Sequence, residues 1–135
     1  MDMKMINKTI ATAGILSAIL TAIHIFGGGA DVHAPILASE LDPLMKGYSS
    51  VLWHGITASL ALCSAILLLA SKRSAERELL TWIVILQFAA FAAIFAFYGI
   101  TRFGTLFLMP QWIAFLVIIA VSYLGIQTHR KQAAN

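Results

Sequence analysis

Long apolar runs broken by short polar clusters dominate the chain. Four windows contain no charged residue: about Thr9 to Gly27, Ser50 to Ser71, Leu79 to Thr101, and Leu106 to Gln127. Each is long enough to cross a bilayer as a helix, which takes about 20 residues. Lipid offers the backbone no hydrogen-bond partner, so only helices and closed barrels span it. The runs are continuously apolar rather than alternating over ten-residue strands, which excludes the barrel and predicts an all-α, four-helix membrane bundle. Four such helices use roughly 80 residues, so a chain of 135 residues has room for a single membrane domain, 1–135, with short connections and tails.

Composition supports this reading. Hydrophobic residues make up 60% of the chain and charged residues 11%, with a mean hydropathy of +0.87, whereas soluble domains carry about 25% charge. The nine basic residues divide unevenly. Lys4, Lys8, Lys72, Arg73, Arg77, Arg130 and Lys131 fall on one side of the predicted spans, and only Lys46 and Arg102 fall on the other. Basic residues concentrate on the cytoplasmic side of membrane proteins, so both termini are expected to be cytoplasmic in a multi-pass protein of a bacterial inner membrane. The net charge of +3 therefore reports topology and gives no reason to expect nucleic-acid binding; membrane lipids are the expected surroundings. The single cysteine, Cys63, excludes an intrachain disulfide and a cysteine-based metal site. A competing reading makes Lys4, Lys8 and the following run a cleaved signal peptide ending before Pro35, but the run from Ile10 to Phe26 exceeds the usual apolar region of such peptides.

Small residues recur at four-residue spacing: Gly14, Ala18 and Ala22; Gly55, Ser59 and Cys63; Ala92 and Ala96. Such stripes allow helix backbones to approach closely within a membrane and are expected to face the bundle interior.

Side chains suited to chemistry collect at the outer ends of the predicted spans: His24, Asp31, His33, Trp53, His54, Tyr98, Arg102, Gln111 and Trp112. The inner side holds basic topology markers, Glu76, Glu78, and His129 in a tail expected to be solvated. His24 lies about one turn before Gly27-Gly28-Gly29, read as a helix break, and His54 about one turn inside the second span, so the two imidazoles are expected at similar depth. The segment from Ala30 to Ser49, read as a loop, makes the first two spans neighbours and adds His33 and Asp31. Neutral imidazole suits copper, zinc and iron, so His24, His54 and His33 form a candidate metal site with an open position for water or substrate. Alternatively His24 and His54 are the axial pair of a b-type haem, with Arg102 answering a propionate. Trp53, Trp112 and Tyr98 also fit an interfacial aromatic belt, and Pro110 fits the first turn of the last helix. The pattern His24-x-Phe26-x-Gly28, Pro35, Trp53-His54 and Pro110-Gln111-Trp112 resembles small uncharacterised four-helix inner-membrane proteins of bacteria. The resemblance implies that fold and location and carries no activity.

Three functional readings follow. The first is a redox or metal-dependent protein with copper, zinc or haem at the histidines. The second is a small transporter or channel. Proton-coupled exporters of this size rely on an intramembrane carboxylate, and here all six acids lie in tails or connections, so a histidine, with an ordinary pKa of about 6.5, would carry the proton. The third is an accessory or assembly subunit of a larger membrane complex, or a homo-oligomer, packed through the small-residue faces.

Overall fold

A computed structural model describes residues 6–134; Lys4, one of the basic markers, lies outside them. The described chain is helical almost throughout, in the order α1 (Lys8–Ile23), a π-helical segment (His24–His33), α2 (Ala34–Ala38), α3 (Pro43–Lys72), α4 (Arg77–Phe103) and α5 (Gln111–Ala134). Four helical stretches are long and apolar enough to cross a membrane: Lys8–Ala38, Pro43–Lys72, Arg77–Phe103 and Gln111–Lys131.

Local chemistry sets the helix ends. The Asn7 side chain accepts from the Ile10 N–H at 3.0 Å and starts α1. Asp42 caps α3 by accepting from the Leu44 N–H at 2.8 Å, with Pro43 in the first turn where no N–H is needed. Gly104, at φ +66°, ends α4: its N–H turns back to the Ile100 carbonyl and that of Thr105 to the Gly99 carbonyl. The apolar stretch after Gly104 is tied down by the Trp112 indole, which donates to the Leu106 carbonyl at 3.0 Å.

Two expectations about the first connection are corrected. Gly27-Gly28-Gly29 does not break the helix; winding continues through it in the wider π form. The segment from Ala30 to Ser49 is not a loop, because α2 and an early start of α3 leave only Ser39–Asp42 outside helices. The last span begins at Gln111, in line with a helix start at Pro110, rather than near Leu106.

In the bundle α1 packs on α3 and α5, and α4 packs on the same two helices. Ile10, Ala13, Leu60, Cys63, Leu67, Ala70, Val84, Phe88, Ala92, Phe115 and Ile118 form the core. The remaining apolar surface faces outward; Val51, Leu52 and Leu86 are each at least 65% exposed, which suits a lipid-facing wall. The small-residue stripes hold only in part. Gly14 is buried, where an added Cβ would stand 2.9 Å from the Leu68 side chain, and Cys63 and Ala92 are buried, whereas Ala18, Ala22 and Gly55 are exposed. The buried face of α1 runs instead through Ile10, Ala13, Gly14, Ser17 and Thr21. On it Ser17 and Ser64 share a hydrogen bond of 2.8 Å across to α3, while Thr21 bonds back to the Ser17 carbonyl at 2.9 Å.

The two ends of the bundle differ. The terminal end, which carries the start of α1, the end of α5 and the α3–α4 connection, is closed. The Arg77 side chain, 3% exposed, donates to the Ala70 and Ser71 carbonyls at 3.2 and 3.1 Å and to His129 Nδ1 at 2.9 Å. Asn7 donates to the Ser71 carbonyl through its backbone and to the Gly125 carbonyl through its side chain, both at 2.9 Å. Glu78 and Arg130 add a two-pronged ion pair at 2.7 and 3.0 Å. His129 is therefore half-buried and bonded, not solvated in a tail. The opposite, loop end is open: no residue from 24 to 59 is buried, and from 93 to 114 only Gly99 is.

Candidate functional site

The π winding organises the loop end. In an α-helix, at 3.6 residues per turn, residues nine apart lie two and a half turns apart and face opposite ways. With i→i+5 hydrogen bonds and about 4.4 residues per turn, nine residues make about two full turns. His24 and His33, nine positions apart, therefore share a face, with Gly28 about one turn from each. The Ala34 N–H bonding to the Gly29 carbonyl is one such i→i+5 contact.

Trp53 of α3 lies against this face. Its ring is stacked on His24 with centroids 4.1 Å apart and planes at 16°, and on His33 at 5.3 Å and 3°. Gly28 makes the approach possible, since a Cβ there would stand 2.9 Å from Trp53 Cη2. His33 Nε2 is 3.1 Å from Ser50 Oγ, and His54 meets His33 edge-on with ring centroids 5.6 Å apart. His24, His33 and Trp53 are half-buried, and His54 is exposed. The Nε2 of His24 is enclosed and has no hydrogen-bond partner.

Of the residues singled out from the sequence, His24, His33, Trp53 and His54 converge. Asp31 does not join them: it is exposed, and two positions before His33 it lies on the far side of the π winding. Tyr98, Arg102, Gln111 and Trp112 belong to the α4–α5 side of the loop end. Tyr98 packs edge-on against Phe97 at 5.5 Å, Trp112 bonds to Leu106, and Arg102 and Gln111 are exposed.

The arrangement differs from both ligand geometries anticipated. Among the described residues no group of three or more His, Cys, Asp or Glu side chains is placed to hold a metal ion. An axial haem pair needs two imidazole nitrogens facing across a flat gap, whereas His54 sits edge-on to His33 and His24 lies on Trp53. Two participants were missed in the sequence, Ser50 and Gly28. Gly28 was read only as part of a helix break and of the resemblance pattern, and Ser50 only as the start of the second span, so neither signalled a contact with the histidines. Compared with protein-family models, with curated proteins and with solved structures, the chain matches none.

Proposed function

We propose that this is a multi-pass membrane protein, with its termini in the cytoplasm and its histidine end facing outward, that carries protons as a small transporter or channel with His24 as the proton-binding group. The observation that carries this reading is the enclosed, unpartnered Nε2 of His24 on a ring stacked against Trp53. A buried polar atom without a partner is rare and calls for an explanation in function or in a bound species. An imidazole offers such an atom a lone pair that takes up a proton and gives it back. An indole face within about 6 Å stabilises the resulting cation, and both His24 and His33 lie within that range of Trp53. A proton, or the water that delivers it, fits an enclosed nitrogen, whereas a metal ion needs further donors converging on the same point.

The reading is tested in proteoliposomes containing a trapped pH dye, under an imposed pH gradient with the membrane potential clamped. Wild-type protein is expected to speed internal acidification above that of protein-free vesicles, and His24→Gln to return it to the protein-free rate. Equal rates for wild type and His24→Gln, or for wild type and empty vesicles, would remove the proposal. Metal analysis and an absorption spectrum of the same preparation test the metal and haem readings separately.

A further inference from the structure

A run of π-helix ten residues long is unusual, because π turns mostly occur singly, and often at functional sites. Here its consequence can be stated. Between His24 and His33 the π form makes about two turns; the same residues wound as α-helix make two and a half. Rewinding therefore leaves His24 on Trp53 and carries His33 to the opposite side of the helix. What holds the segment against this is the stacking on Trp53 and the His33–Ser50 contact. The residues that flank it, Ile23 and Ala34, have ordinary α dihedrals (φ −60° and −62°, ψ −41° and −44°), so the segment joins α-helix at both ends. No side chain in the segment or in α2 is buried. Gly27 and Gly29 have no close neighbour that a Cβ would strike.

We propose that the His24–His33 segment is a two-state element, π-wound with both imidazoles on Trp53 and α-wound with His33 released, and that the number of protons on the two rings sets which state is held. This rests on the proton reading above. One positive ring on the indole is favourable, because a single cation lies over the π face. Two positive rings on the same indole repel each other, and rewinding separates them without moving His24. The titratable groups around the pair are few. The segment itself has Asp31, on its far side; α3 has His54 edge-on to His33, and Lys46 and Tyr48 nearer the loop; α2 has none; and α1 has only Lys8, at the other end of the bundle. Proton binding involves only the lone pair and N–H bond of each ring, so no other reactant is needed.

Geometry supplies a specific test. Seven residues of α-helix also make about two turns, so deleting Gly27 and Gly29 while keeping Gly28 would place both histidines on Trp53 in an ordinary α-helix that has no π state to leave. Solid-state NMR on protein in lipid bilayers, with labelled histidine and tryptophan, reads the His33–Trp53 and His24–Trp53 contacts directly. In wild type the His33–Trp53 cross-peak is expected in alkaline buffer and lost on acidification, while the His24–Trp53 cross-peak persists. The deletion variant is expected to keep both cross-peaks throughout and to move no protons above the protein-free rate. A His33–Trp53 cross-peak that survives acidification in wild type, or wild-type flux in the deletion variant, would overturn the two-state element. Should the deletion variant not fold, the wild-type cross-peak decides alone. Flux that responds to His24→Gln alongside an unmoved cross-peak removes only the rewinding; flux indifferent to His24→Gln removes the proton reading beneath it.

Discussion

At the scale of single residues, the loop end depends on the absence of one carbon atom. Trp53 reaches His24 and His33 only because Gly28 has no side chain, and a Cβ there would come within 2.9 Å of the indole. Gly28→Ala is therefore expected to push the indole off the π segment and weaken both stacks. Stacked aromatic pairs contribute about 0.5–1.5 kcal/mol beyond area burial, so the overall loss of stability should stay near that size. The site-specific signal should be larger: with Trp82 and Trp112 replaced by Phe, the Trp53 emission of the variant should become independent of protonation of its neighbours. Gly29→Ala, where a Cβ meets nothing within 4 Å, serves as the control and should leave that emission as in the parent.

At the scale of elements, most of the helices were legible in the sequence and the winding of one was not. Uncharged length is set by bilayer thickness and survives any detail of packing, so the four spans could be read from where Lys, Arg, Asp and Glu do not occur. What the residues at the first connection do could not be read the same way. Three consecutive glycines lower helix propensity, and taken alone they predict a break; in the structure the chain stays helical through them and widens. Because a π turn changes which residues share a face, His33 joins His24 on Trp53 as a stacked ring, while Asp31, expected beside it, lies on the far side. The small-residue stripes hold only in part, for a different reason. Ala18 and Ala22 fit a close-packed face as well as Ser17 and Thr21 do, but the buried face of α1 contains the hydroxyls that bond at the α1–α3 seam.

At the scale of the whole molecule, the bundle is fastened at one end and open at the other. Arg77 was read from the sequence as a topology marker, yet it caps the last carbonyls of α3, reaches α5 through His129, and starts α4. Carbonyls at a helix C-terminus lack partners within the helix and favour a cation, which explains why a buried arginine belongs there. Composition gave no sign of this, because a basic residue in a short connection looks the same whether it lies in the headgroups or in the core. Arg77→Ala is expected to destabilise the protein by about 1.5–3 kcal/mol, since it removes charged hydrogen bonds to α3 and His129 while the Ser71 carbonyl keeps the Asn7 N–H. Thermal unfolding in detergent would measure it. The stacking of His24 on Trp53, at the far end, should survive in whatever fraction remains folded. A fastened end and an open end also suit the proposed role, because a segment that rewinds needs neighbours that do not move with it.

The central claim is that His24 Nε2 is a vacant proton acceptor within the membrane-spanning bundle. Nitrogen-15 spectroscopy of labelled histidine in lipid bilayers, with the His24 signal assigned by its loss in His24→Gln, tests this most directly. The account predicts an unprotonated Nε2 in alkaline buffer that gains a proton reversibly on acidification, with a changed response in Gly28→Ala. A His24 Nε2 that carries a proton in alkaline buffer, or stays bare throughout acidification, would contradict it.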